Sequence, residues 1–589
     1  MATANKNKFD YILLGRVLRL AKPYQRIFVL AAILAIVVAP LASIPPYIVK
    51  VMVDDYIFQY DLPGLTQMAF VYAGLLILRV LVQYAFIYST NLLGQSVIRD
   101  LRVRVFNHLT SLRLTYFDRT PIGTSTTRTI NDIEAINTVF SQGVITIIAD
   151  LLTIFAVIGV MFYTSWKLTL ICLTTMPLLI IAGYIFKEKV KAAYQKVRTQ
   201  ISKMNAFLQE RITGMRIVQI FNAEKQEMEK FKTINRDYTK ANLDSILYYA
   251  VFFPVVEIIS AIALGLMVWW GARGVISNDV TIGALVVFPI FLNMLFRPVR
   301  MLADKFNTLQ MGLVAAERVF TLLDRKDLIT NEGTLQPEEV QGKVEFDKVW
   351  FAYNEKEYVL QDISFTVSPG ETLAIVGSTG SGKSTIINIL NRFYEIQKGT
   401  IKLDDVDISE YELNHYRNFL AIVLQDVFLF SGSVYENITL RDPSISREQV
   451  IEAAKMIGAH KFIDRLPGGY DYQVMERGAT LSLGQRQLIS FVRALVFDPE
   501  ILILDEATSS IDPETESVIQ FAIETLIEKR TSIIIAHRLS TIKHANNIMV
   551  LEKGTIKELG PHEELLTIED GHYRNLYEMQ FLEVSEEKM

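Results

Sequence analysis

Residues 377–384 read Gly377-Ser378-Thr379-Gly380-Ser381-Gly382-Lys383-Ser384, a match to GxxxxGK[ST]. Leu373 to Val376 lead into this stretch as an apolar strand, and a helix-forming run from Thr385 to Leu390 leaves it. Strand, glycine-rich loop and helix start, in that order, make a phosphate-binding loop. Glycines let backbone N–H groups come close to phosphate oxygens, and the positive end of the helix dipole favours the anion. Lys383 is expected to reach the β- and γ-phosphates, and Ser384 to ligate Mg2+. The plain alternative is a chance glycine-rich turn, against which the flanking strand and helix argue.

Downstream, Ile501-Leu502-Ile503-Leu504-Asp505-Glu506 is an apolar strand ending in two acids. Asp505 is placed to hold Mg2+, directly or through water, and Glu506 to orient or deprotonate an attacking water. Acids often follow strands, so the pair gains weight only beside the phosphate loop. Further apolar stretches at 343–351, 372–376, 532–535 and 548–551 alternate with helical ones, the pattern of an α/β domain. Upstream, Glu, Gln, Gly and Pro gather between 328 and 342, which reads as a linker.

The first half has another character. Apolar runs cover 27–49, 66–94, 139–162, 168–186, 246–270 and 280–296, interrupted only by Arg79, Asp150 and Glu257. Each is near the roughly 18–20 residues a helix needs to cross a bilayer, and in hydrocarbon the backbone must satisfy itself as a helix. The expected domains are therefore a six-helix transmembrane region at 1–327, a linker at 328–342 and an α/β domain at 343–589. Odd-numbered connections are short or acidic and even-numbered ones long and basic, so the N-terminus, both long connections and the second half are expected in the cytoplasm. Pairs such as Glu227/Lys230 suit exposed helix faces, so the membrane helices are expected to continue beyond the bilayer. Turns are expected at 117–123 and within 214–224. Pro40, Pro45 and Pro46 predict kinks in the first span. Asp150, Glu257 and Arg79 are costly in lipid and are candidates for substrate contact or for interhelical pairing. The basic stretch 16–26 reads as an orientation signal, with anionic lipid headgroups as the alternative.

Bulk properties agree. At 589 residues, half of them hydrophobic, the chain exceeds one core. Its net charge of −5 gives no argument for nucleic acid. Its single cysteine, Cys172, excludes an internal disulfide or a cysteine metal site. No short apolar segment with a small-residue cleavage site opens the chain, so no signal peptide is expected.

With these motifs in this order, the chain resembles the half-transporter type of ATP-binding cassette exporter, similar to bacterial multidrug and lipid A exporters. Leu481-Ser482-Leu483-Gly484-Gln485 stands where that family has LSGGQ. Gln425 matches its Q-loop glutamine, the Ser509-to-Asp512 segment its D-loop, His537 its switch histidine, and Tyr353 the aromatic that stacks on adenine. Alone, His537 would read as an interior histidine, Gln425 as a surface residue and Tyr353 as a strand aromatic. Their joint order and spacing change that.

The resemblance implies a membrane all-α six-helix domain of the type I exporter fold, fused to an α/β P-loop nucleotide-binding domain. It also implies ATP and Mg2+ as cofactors. Gly377, Ser378, Thr379, Gly380, Ser381, Gly382, Lys383, Ser384 and Thr385 would hold the nucleotide with Tyr353, while Ser384, Gln425 and Asp505 serve the metal. Glu506, His537 and Gln425 would be catalytic. Ser482, Gly484 and Gln485 would contact the γ-phosphate bound on a second half-transporter, so a homodimer is expected, with a heterodimer as the alternative. Segments 117–123 and 214–224 would couple to the cassettes, received by the Gln425 region and by 473–478. The implied function is export of an amphipathic drug or lipid from a bacterial inner membrane. Import by the same fold, or a soluble cassette ATPase, are the rivals, and the six spans argue against the second. Leu483 departs from the family glycine, adding a side chain where backbone nears ligand.

Overall fold

A computed structural model describes residues 11–354, 357–505, 513–536 and 542–578. The chain divides into two compact units. One is Met1–Ser111 with Thr120–Lys326, and the other is Leu112–Arg119 with Asp327–Met589.

The first unit is helical. In chain order come α1 (Tyr11–Arg19), α2 (Gln25–Val51) and α3 (Leu62–Thr110), and then α4 (Leu114–Arg119), which belongs to the second unit. The first unit resumes with α5 (Ile122–Thr127), α6 (Ile133–Thr138), α7 (Val144–Thr164), α8 (Trp166–Leu173), α9 (Met176–Thr213), α10 (Met215–Ile220), α11 (Glu224–Ile276) and α12 (Ile282–Leu323). Among the described residues, five helical stretches are long and apolar enough to cross a membrane: Lys22–Ile57, Leu62–Thr110, Ile122–Thr164, Trp166–Thr213 and Glu224–Ile276. The sixth expected run falls on the shorter apolar part of α12, Ile282–Pro298. At 1.5 Å per residue the 53-residue α11 is about 80 Å long, well over the ~30 Å of hydrocarbon, so it continues beyond the bilayer.

The apolar window of α3 is only 6% buried, so its side chains face outward, as lipid-facing helices do. The core of the unit gathers Val157, Met161, Cys172, Val256, Met267, Phe288 and Phe291. Phe186 and Phe252 stack where α9 meets α11, with centroids 3.9 Å apart. Despite Pro40, Pro45 and Pro46, α2 runs unbroken, and the Ser43 hydroxyl donates to the Ala39 and Pro40 carbonyls at 3.2 and 3.1 Å. Several polar groups inside the unit are paired. The Gly283 N–H donates to Asp54 at 2.6 Å, Lys50 lies 3.4 Å from the same carboxylate, and Asp150 is ion-paired with Lys305. Arg16 forks onto Asp324 at 2.5 and 2.6 Å, which ties α1 to the end of α12.

The second unit is built on two main sheets and a two-stranded ribbon. Its strands are β1 (Val344–Phe351), β2 (Leu360–Val367), β3 (Thr372–Val376), β4 (Lys398–Leu403), β5 (Val406–Asp407), β6 (Leu420–Val423), β7 (Gly432–Ser433), β8 (Gln473–Val474), β9 (Ile501–Asp505), β10 (Thr531–Ile535), β11 (Asn547–Glu552) and β12 (Thr555–Gly560). The larger sheet has the order β12-β11-β3-β10-β9-β6, parallel except for the edge strand β12. The smaller is antiparallel, β2-β1-β4-β5. Strands β3 and β10 are buried at every position, as the inner strands of a parallel sheet covered on both faces must be.

Candidate functional site

The phosphate loop emerges from the carboxyl end of β3 and enters helix α13 (Lys383–Leu390). Gly382 caps α13 with φ +109°, a conformation that L side chains avoid, and a Cβ there would lie 2.7 Å from Leu360 Cδ2. Ser378, Thr379, Gly380 and Ser384 are exposed, whereas Ser381, Lys383 and Thr385 are buried. The Ser381 hydroxyl has no hydrogen-bond partner among the described residues. Lys383 Nζ donates to the carbonyls of Gly377 at 2.8 Å and Ser378 at 3.0 Å. Burial pushes its ammonium below the usual lysine value, and the nearby Asp505 carboxylate opposes that. The loop thus presents backbone donors, a helix start and one desolvated cation to an anion.

Asp505 ends β9, and Gln425 lies two residues past Val423, the last residue of β6. β9 and β6 are parallel neighbours, with Val423 opposite Leu504. Asp505, Gln425 and the phosphate loop therefore all lie at the carboxyl ends of strands in one parallel sheet, where such folds bind ligands. The Ser384 hydroxyl, the Gln425 amide oxygen and the Asp505 carboxylate are all hard oxygen donors, a set that suits Mg2+.

Tyr353 stands beside the loop. Its hydroxyl donates to Thr385 Oγ1 and accepts from Asn388 Nδ2, both at 3.3 Å. Its ring packs edge-on against Phe351 and Tyr394, with centroids 4.8 and 5.0 Å away.

Ser482 is the N-cap of the helix Leu483–Val496 and forms a capping box with Gln485, at 3.0 and 3.2 Å. Gly484 is buried in the first turn. Leu483 occupies the first helical position and is not among the residues with positive φ, so the departure from glycine imposes no backbone strain. Among the described residues no hydrogen bond links Ser482 or Gln485 to 377–385. Glu506, His537 and the 509–512 segment lie outside the described residues.

Two features escaped sequence reasoning. The segment after Gln425 is joined to 473–478, because β7 pairs with β8 and the Arg477 N–H donates to the Leu429 carbonyl at 3.1 Å. Leu424, Phe428, Phe430 and Met475 on these segments are exposed. The second is α4. Asp118 and Arg119 bond to Tyr394 and to Tyr353 and Asn354, more than 200 positions away, and no local pattern signals such a contact. Of the lone membrane charges, Asp150 is paired with Lys305. Arg79 and the exposed Glu257 have no ion pair among the described residues.

Residues 27–299 match the ABC transporter transmembrane region, and residues 360–509 match the ABC transporter family. The chain is 38% identical over 579 residues to the uncharacterized ABC transporter ATP-binding protein YknV of Bacillus subtilis (strain 168), covering 97% of this chain and 95% of that one. It is 36% identical over 561 residues to an ATP-dependent lipid A-core flippase of Desulfotalea psychrophila (strain LSv54 / DSM 12343), covering 95% and 97%. It is 35% identical over 575 residues to YgaD of Bacillus subtilis (strain 168), named as a candidate multidrug export ATP-binding/permease protein, covering 96% and 99%. A helical membrane region, a phosphate-loop cassette behind it and relatives matched over nearly their whole length lead to one conclusion: the chain belongs to the ABC transporters, as an integral membrane protein whose ATP-binding ATPase domain drives export.

Proposed function

We propose that two copies of this chain form an exporter that moves an amphipathic compound, a drug or a lipid, across a bacterial inner membrane by alternating access. The observation that carries this reading is the convergence of 377–385, Asp505 and Gln425 at one sheet end, in a chain with long apolar helices. We take 1–327 as the transmembrane domain, 328–342 as the linker and 343–589 as the nucleotide-binding domain. Charge asymmetry between the spans favours a cytoplasmic N-terminus and cassette. Relatives named for multidrug export and for lipid A flipping support an amphipathic cargo.

In this reading the loop amides, Lys383 and the start of α13 hold the β- and γ-phosphates of ATP, and Tyr353 stacks on the base. Mg2+, when bound, neutralises phosphate charge, and Ser384, Gln425 and Asp505 are the residues that would hold it. Glu506 orients or deprotonates water, and His537 supports the γ-phosphate. Ser482, Gly484 and Gln485 of one copy close over the nucleotide of the other, at a helix N-terminus suited to an anion. Catalysis is then mostly positioning and charge stabilisation. ATP binds the closed pair better than the open one, and that difference drives the membrane helices between two states.

The test is ATP hydrolysis by the purified chain alone in lipid, with a panel of lipids and cationic drugs. Glu506→Gln is expected to lower turnover by about 10²–10³-fold while ATP binding persists. Full-rate turnover of that variant would remove the catalytic assignment. Activity appearing only after a different half-transporter is added would replace the homodimer with a heterodimer.

A further inference from the structure

The segment Leu112–Arg119, which contains the short helix α4, is anchored within the second unit at three places. Leu112 pairs with Leu328 as an antiparallel bridge, and the Arg113 N–H donates to the Asp327 carbonyl at 3.0 Å. Arg113 also reaches the Leu328 carbonyl at 2.8 Å, Glu395 at 2.7 Å and the Thr330 hydroxyl. The third place bears on the nucleotide site. Arg119 Nη2 donates to the Tyr353 carbonyl and to Asn354 Oδ1, both at 3.1 Å. The Tyr394 hydroxyl donates to Asp118 Oδ2 at 2.5 Å, and the Tyr394 ring abuts that of Tyr353 at 88°. Tyr353 is thus gripped at its carbonyl by Arg119, at its ring edge by the Asp118–Tyr394 pair and at its hydroxyl by Thr385 and Asn388.

We propose that Asp118 and Arg119 are positioning residues for the adenine subsite, holding Tyr353 in the orientation in which it stacks on the base. The inference rests on the assignment of Tyr353 as the stacking aromatic. A flat ring contributes most to binding when its ordering is already complete, because immobilising a side chain costs about 0.5–1.5 kcal/mol each time it happens on binding. Asp118 and Arg119 perform that ordering from outside the cassette sequence. Among the described residues neither bonds to 377–385 or to Asp505, so their effect falls first on the base. Dependence runs both ways: whatever shifts α4 also shifts the ring, and a stacked base steadies α4.

The experiment uses the full-length protein in lipid and two probes, MgATP and the base-free Mg–tripolyphosphate as a competitive inhibitor. Arg119→Ala is expected to raise the KM for ATP about three- to tenfold, with the inhibition constant of tripolyphosphate unchanged. Asp118→Ala is expected to act in the same direction, and Arg119→Lys, which retains a donor, to recover part of the loss. Tyr353→Ala, measured alongside, separates the two assignments. If Tyr353→Ala raises the KM and Arg119→Ala does not, the positioning role is overturned while the stacking role stands. If Tyr353→Ala leaves the KM unchanged, the stacking role falls and takes the positioning role with it. Equal weakening of ATP and tripolyphosphate by Arg119→Ala would mark a general disturbance of the cassette, and would also overturn the proposal.

Discussion

Lys383 illustrates how a single side chain is prepared for its task. It is largely buried and satisfied by two loop carbonyls, so in the role proposed for it the ammonium exchanges those partners for phosphate oxygens with little further desolvation. Gly382 is the residue that allows the helix to begin there. Gly382→Ala would place an L side chain at φ +109° and against Leu360, at a cost of about 1–2 kcal/mol before any repacking. A lower melting temperature and weaker ATP binding, measured together, are the expected result. Leu483 makes the opposite case. From sequence it departs from a motif that ordinarily has glycine, and it sits in helical conformation at the first position of a capped helix. Glycine would loosen that turn by about 0.5–1 kcal/mol. Leu483→Gly is therefore expected to lower the melting temperature slightly and to leave ATP turnover within about twofold. A large gain in turnover would show that leucine hinders closure.

Among the elements, the Asp150–Lys305 pair joins α7 to α12, with about a quarter of each side chain exposed. Removing one partner leaves the other charge unpaired in low dielectric. Asp150→Asn and Lys305→Met are each expected to destabilise the protein by about 2 kcal/mol, less than for a fully buried pair. The double variant Asp150→Leu/Lys305→Met should recover most of the loss, and thermal melting in detergent reads all three. Elements differed in how far the sequence disclosed them. Strands β3, β9, β10 and β11 were legible because strands buried on both faces are continuous apolar runs. Strands β2 and β4 were not, because each carries charged or amide side chains, Gln361 and Asp362 or Lys398 and Lys402, and no continuous apolar run. The phosphate loop and Asp505 were legible because their chemistry is local: glycines, a lysine and an acid at fixed offsets. Tyr394, Asp118 and Arg119 were illegible because tertiary folding alone brings them to Tyr353. The prolines of α2 do not end the helix, which continues through Pro40, Pro45 and Pro46 to Val51.

At the scale of the molecule, two exposed apolar sets call for partners. Ile212, Met215, Ile217, Ile220 and Phe221 lie on and around α10, and Leu424, Phe428, Phe430 and Met475 lie on the joined segments past β6. In the proposed dimer of identical chains, the first set of one copy is expected to cover the second set of the other. Phe221→Cys and Phe430→Cys combined, in a Cys172→Ser background, are expected to form a covalent dimer on oxidation, visible on a non-reducing gel. Either single variant should remain monomeric on that gel. The chain suits this test, since its one native thiol is buried.

The placement of Leu112–Arg119 with the cassette rather than with the helices around it in sequence has a practical consequence. A fragment excised at the linker would resemble a glove missing a finger. Leu328 would lack its bridge to Leu112, and the Tyr353 carbonyl would lose the Arg119 guanidinium. With Tyr353 stacking on the base as proposed, nucleotide affinities measured on such a fragment are expected to understate those of the intact protein, and the shortfall to vanish for ligands that carry no base.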